Sequence, residues 1–227
     1  MSARFPALAE LAVRRYLMGQ AFSIVGAWTQ SITLSLLLWE QTQSPWMLGV
    51  LNFLLYGPAL VVSPLYGARL HPGRVRVMAL RIVGVALLLS LLLLAASLAG
   101  RLHAGLILGT AAAIGFFAAM EMPARQLLLT TVLQNKAWMV NAIALNTLVF
   151  NIGRMVGPAM AALIFTHVGA VGGFVINAVG LSMMLLCLAS LPAATGDART
   201  GSDARHSSII DRPTALMTNP PTAPTWV

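Results

Sequence analysis

Residues 141–163 read NAIALNTLVFNIGRMVGPAMAAL, and their reading decides the fold. The stretch is apolar enough and long enough to cross a bilayer, which takes about 20 residues. Yet it carries Arg154 near its middle and Gly157-Pro158 one turn later. On a helix turning about 100° per residue, Asn146, Thr147, Asn151 and Arg154 fall within one arc of about 140°. Gly153, Gly157 and Ala161 form a second stripe, overlapping one edge of that arc. A charge in hydrocarbon costs at least about 2.5 kcal/mol, so Arg154 must face a partner or a water-filled cavity. The small-residue stripe lets another helix approach closely. The segment therefore reads as a membrane-spanning helix that lines a path.

The rest of the chain repeats the spanning signature. Apolar residues make up 58% of it and charged residues 9%, against roughly 25% charged in soluble domains. Runs of spanning length occur six times, near Tyr16–Trp39, Trp46–Leu65, Val77–Ala99, Gly105–Leu128, Asn141–Thr166 and Val171–Leu191. Such lengths argue against buried helices of a soluble core. The expected fold class is all-α and integral to the membrane. It comprises an amphipathic entry segment over 1–15, a six-helix bundle over 16–192 and a disordered cytoplasmic tail over 193–227. The tail is assigned by its loss of apolar periodicity beyond Pro192.

The net charge of +8 is a topology signal. Twelve of the fourteen basic residues fall on one side: three before span 1, four around the connection from span 2 to span 3, Arg125 and Lys136 beside span 4, and three in the tail. The other side has Arg101, and Arg154 lies within a span. By the positive-inside rule both termini are cytoplasmic, and the charge gives no reason to expect nucleic acid. The expected partners are the lipid bilayer and a small-molecule substrate. The single cysteine, Cys187, lies in span 6 and reads as a packing residue.

Span 1 carries Gln20, Ser23, Gln30 and Thr33 within an arc of about 140°. These residues either line a cavity or make interhelical hydrogen bonds. Span 2 contains Gly57-Pro58 and Pro64, which predict a kink whose freed backbone groups are satisfied by neighbours. Span 3, around Leu87–Leu94, reads as plain and lipid-facing. Span 4 is rich in Ala and Gly over Gly109–Ala119, which predicts tight packing, and ends in Glu121-Met-Pro-Ala-Arg125. Gly57-Pro58-Ala59-Leu60 recurs as Gly157-Pro158-Ala159-Met160. The two occupy equivalent places if the spans form two groups of three, and they cross the membrane in opposite senses. The bundle is therefore read as two inverted three-helix repeats.

Six short motifs, taken in order, carry a family resemblance: Arg15-Tyr-Leu-Met-Gly-Gln20, Gly26-Ala-Trp-Thr-Gln30, Ser44-Pro-Trp-Met-Leu-Gly49, Pro123-Ala-Arg-Gln126, Asn141-Ala-Ile-Ala-Leu-Asn146 and Asn151-Ile-Gly-Arg-Met-Val-Gly-Pro158. The stretch that holds them, 14–191, resembles the amino-terminal half of a major facilitator superfamily transporter. The similarity is to the bacterial efflux branch of the enterobactin exporter and the transmembrane secretion effectors. The resemblance implies alternating access by two six-helix bundles, with export driven by proton entry. It implies a kink-shaping, cavity-sealing role for Gly153, Gly157 and Pro158, which match the antiporter signature of span 5. Ala161-Ala162 replaces that signature's last glycines. Arg154 and Arg125 match basic positions of the branch. In the family's cytoplasmic turn Gly-x-x-x-Asp-Arg-x-x-Arg-Arg, Gly67 and Arg76 are in place and Arg74 is one position off. His71 and Pro72 stand where the Asp-Arg pair belongs.

The chemistry that follows is transport. Arg154 is either a contact for an anionic substrate, a charge coupled to proton movement, or a structural arginine. Glu121 either carries a proton or pairs with Arg125 at i+4. Gln20, Gln30, Asn146 and Asn151 are candidates for the path; Gly57, Pro58, Gly153, Gly157 and Pro158 for packing and gating; Gly67, Arg74, Arg76 and Arg125 for the cytoplasmic loops. The histidines fall in connections or the tail, and neither His-Glu-x-x-His nor a phosphate-binding Gly-x-x-x-x-Gly-Lys is present. No enzyme, metal or cofactor is therefore expected. The expected function is proton-coupled efflux of siderophores or drugs from a bacterial inner membrane, by half of a twelve-helix transporter that pairs with a second half or a second copy. The alternatives are a truncated or frameshifted product that transports nothing, and an accessory membrane subunit.

Overall fold

The computed structural model describes residues 5–191, so the tail expected over 193–227 lies outside them. Regular structure among these residues is entirely helical. A 3-10 turn, Pro6–Ala9, leads into α1 (Leu11–Thr42). The second span is split into α2 (Pro45–Tyr56) and α3 (Pro58–Gly67). Then follow α4 (Val75–Leu98), α5 (Ala104–Val132), a 3-10 turn at Lys136–Trp138, α6 (Met139–Val168) and α7 (Ala170–Ala189). With α2 and α3 counted together, six segments are long and apolar enough to cross a membrane, in agreement with the six runs in the sequence. The entry segment differs from its reading. Leu11–Arg15 is not a separate amphipathic helix but the first turn of α1, where fully buried Val13 and Tyr16 hold it in the bundle.

Each internal proline removes an N–H and frees the carbonyl four residues earlier, and Pro58, Pro123 and Pro158 are not all treated alike. Pro58 ends one helix and starts another: the Gly57 N–H closes α2 on the Phe53 carbonyl at 2.8 Å. The Leu54 carbonyl behind Pro58 lies against Gly115 of α5, where any side chain would collide with it. Pro123 leaves α5 continuous, and the Ala119 carbonyl it frees accepts a 2.6 Å hydrogen bond from Ser63 Oγ. Pro158 also leaves α6 continuous. The two Gly-Pro copies thus act differently: the first breaks its helix and the second does not.

α1 is the central helix, packed along α6 and α7. α5 packs along α2, α3 and α4, and α4 packs against α7. The first helix of each triplet therefore lies against the second and third helices of the other, the exchange pattern of two three-helix repeats. The α1–α7 seam is built on small residues seven apart, Gly19, Gly26 and Thr33 facing Gly173, Gly180 and Cys187. A Cβ at Gly26 would stand 2.8 Å from the Asn177 Cα, and one at Gly19 would stand 2.9 Å from the Cys187 Cβ. Such a spacing keeps one face of each helix on its partner, and the absent side chains let the backbones meet. α6 turns into α7 through Gly169 alone, at a φ of 71° that favours glycine.

The ends of α1, α4 and α7 are tied at the basic end of the bundle. Arg76, in the first turn of α4, donates from Nε to the Leu188 carbonyl (3.1 Å) and from Nη2 to the Ala189 carbonyl (2.7 Å). These carbonyls lie at the C-terminus of α7, where positive charge is favoured. The Glu10 carboxylate accepts the backbone N–H groups of Gln134 and Asn135, both at 2.9 Å, fixing the α5–α6 connection to the start of α1.

Candidate functional site: a charged face at mid-span

Three groups of polar side chains in the spans bear on the candidate site, and of these three the one along α6 is left uncovered. The first surrounds Arg125. It was expected beside a cytoplasmic loop, but α5 runs on to Val132 and buries it at 8% exposure. Pro123 does not end the helix, because Ser63 satisfies the backbone it disturbs. Arg125 Nε donates to Glu121 Oε1 at 2.8 Å, and Nη2 donates to Glu121 as well. Nη1 donates to Gln20 Oε1, and Nη2 also reaches Ser23 Oγ at 2.7 Å. Tyr16 OH donates to the Arg125 carbonyl at 3.1 Å. Glu121 and Arg125 form the one ion pair among the described residues. Tyr16, Gln20 and Ser23 lie on one face of α1, so this group joins the first helices of the two triplets.

The second group is a packed knot. Ser90 Oγ donates to Gln30 Oε1 at 2.8 Å, and Asn177 Nδ2 donates to the same oxygen at 2.8 Å. All three side chains are buried. Gln30, a candidate for the path, therefore points between α4 and α7 rather than along an open surface. Span 3 is correspondingly not a plain lipid-facing helix: Ser90 is fully buried. A single polar residue in a leucine-rich run was the signal for it, together with the Asn in span 6.

The third group lies along α6. Thr147, Asn151 and Arg154 are exposed, and Arg154 sits half-way along the helix. Asn146 beside them has a buried Oδ1 without a hydrogen-bond partner. Gly153 and Gly157 pack on Ile24 and Trp28 of α1, and a side chain at Gly157 would collide with the Trp28 Cβ. That close approach sets the Arg154 guanidinium over the Trp28 ring, 5.4 Å from its centroid, within cation–π range. Trp28 in turn lies against Tyr56, the last residue of α2, with ring centroids 6.4 Å apart. Tyr56 OH is 3.1 Å from Ser31 Oγ. The stripe of small residues and the arginine are thus parts of one device. Among the described residues Arg154 has no hydrogen bond and no ion pair. Trp28, Ser31 and Tyr56 were not singled out in the sequence, since the contact joins positions far apart in the chain and no periodicity within one helix announces it.

The loop candidates lie elsewhere. Gly67 ends α3, where its Cβ position is 3.5 Å from Pro123 Cβ, and Arg74 is exposed at the start of α4. His71 and Pro72 are exposed, and the His71 ring is hydrogen-bonded to the Arg69 carbonyl at 3.1 Å.

Six helical segments long and apolar enough to cross a membrane define a multi-pass membrane protein. The family model described as transmembrane secretion effector matches residues 2–204. The chain belongs to that family, a branch of the major facilitator superfamily. No curated protein and no solved structure matches it.

Proposed function

We propose that this chain is one six-helix unit of a proton-coupled exporter of small amphipathic molecules, siderophores or drugs among them. It would lie in a bacterial cytoplasmic membrane with both termini inside. The observation that carries the reading is the polar strip Thr147–Asn151–Arg154, exposed at the middle of a helix otherwise fit to span. Hydrocarbon does not tolerate such a strip, so it faces water, cargo or a second unit. In this reading a second six-helix unit or a second copy closes over that face, and cargo passes between the two.

The coupling site in this reading is the Glu121–Arg125 pair. Glu121 is the acidic side chain bonded within the spans, and protonating it removes the charge that holds Arg125 on α5. Neutral Glu121 holds Arg125 more weakly, so Gln20 and Ser23 of α1 take a larger share and the proton changes the tie between the two triplets. The test is flux from proteoliposomes loaded with a pH dye and a panel of aromatic acids, amines and neutral dyes. At least one panel member is expected to leave faster under an imposed pH gradient, with a matching pH change that Glu121→Gln abolishes. Release no faster than from protein-free vesicles for every member would sink the proposal.

A further inference from the structure

We infer that the Arg154–Trp28–Tyr56 constellation is a binding site for an organic anion carrying a planar aromatic ring. This inference rests on the transport reading and names the class of cargo. Four observations carry it together.

The guanidinium is uncommitted. Arg125, the buried arginine of α5, spends donors on Glu121, Gln20 and Ser23. Arg154 is exposed, and its contact among the described residues is with the face of an indole. A guanidinium has five N–H donors in a planar fork that matches a carboxylate, and stacking on a ring leaves the fork edge free. Arg154 also lies half-way along its span, where an unpaired cation is costly and an arriving anion relieves that cost.

The site is held in place by its neighbours. Gly157 brings α6 onto Trp28, and the Thr29 hydroxyl, on the next residue of α1, is shared between the Val25 carbonyl at 2.8 Å and the Gly157 carbonyl at 3.3 Å. Tyr56 is fixed by Ser31 at the point where Gly57 ends the helix. Side chains from α1, α2 and α6 therefore converge on one place.

The aromatic pair selects for a ring. Trp28 and Tyr56 are tilted by 32° with centroids 6.4 Å apart. Tyr56 is 48% exposed. An aromatic cargo gains offset or edge contacts with these rings, while its acid group meets the guanidinium. A cationic ring would gain the aromatic contact but meet Arg154 as a like charge. A neutral ring would gain the contact alone.

The probe is 2-naphthoate, measured by equilibrium dialysis against the full chain in nanodiscs at neutral pH, with empty nanodiscs subtracted. 2-Naphthylmethanol and 2-naphthylmethylamine are its neutral and cationic counterparts. We expect saturable naphthoate binding that weakens about tenfold or more in Arg154→Gln, as loss of a charge-assisted pair implies. Arg154→Lys, which keeps charge but loses the fork, should fall between the two, and Trp28→Leu should weaken binding as well. Wild-type binding of either counterpart as tight as that of naphthoate overturns the inference, as does naphthoate binding that survives Arg154→Gln. So does an absence of naphthoate binding to the wild type. The flux panel separates the two proposals: a neutral or cationic member exported under a pH gradient, with no aromatic acid exported, keeps transport and removes this cargo class.

Discussion

Two of the arginines within the helices, Arg125 and Arg154, have opposite surroundings. Arg125 is buried, and all three of its nitrogens donate hydrogen bonds, to a carboxylate on its own helix and to two side chains on α1. Arg154 is exposed at mid-span over an indole ring, with no acceptor among the described residues. The sequence presents both as charges in apolar surroundings. What separates them is what the facing helix supplies: α1 offers Gln20 and Ser23 to one, and the face of Trp28 to the other. An arginine bonded to the protein through every nitrogen holds the fold, while one whose donors are free is available to something that comes and goes.

Substitutions at both positions, read by thermal unfolding in detergent, test that distinction. Arg125→Leu should cause the largest loss, up to about 3–5 kcal/mol, because it leaves the part-buried Glu121 carboxylate without its partner. A midpoint unchanged from wild type would show that the network is not structural. Gly157→Val comes next, at about 1–3 kcal/mol, since its side chain must displace Trp28. It should also weaken naphthoate binding by moving α6 away from the ring, so full binding in this variant would break the link between stripe and site. Arg154→Leu should have the smallest effect, leaving the midpoint unchanged or higher, because no contact to a protein acceptor is lost. A fall as large as that of Arg125→Leu would place the two arginines in the same role.

The spans were legible because bilayer thickness imposes a length on apolar runs. Which turn a proline ends was not. Pro58 and Pro123 look alike in sequence, yet the second is bridged by a hydroxyl from α3 that only the folded bundle brings near. For that reason Arg125 read as a loop residue while lying inside α5. The α6 stripe and its polar arc were legible from helical periodicity, because both belong to one helix. Its partners Trp28 and Tyr56 come from two other helices, and nothing local to either of them marks the contact. Gln30 shows the converse. Its arc on α1 suggested a path, but Ser90 and Asn177 cover it. The seven-residue spacing of Gly19 and Gly26 was present in the sequence as a further signal of the α1–α7 seam.

The claim beneath both proposals is that the face of Arg154 meets water while the knot of Gln30 does not. Cys187 is the single cysteine, so a Cys187→Ala background allows one cysteine to be placed at a time. The decisive measurement is the labelling rate of Arg154→Cys and Gln30→Cys by a membrane-impermeant methanethiosulfonate, with the protein in its native membrane. The account predicts rapid labelling at 154, slowed by 2-naphthoate, and none at 30. No labelling at 154, or equal labelling at both positions, would contradict it.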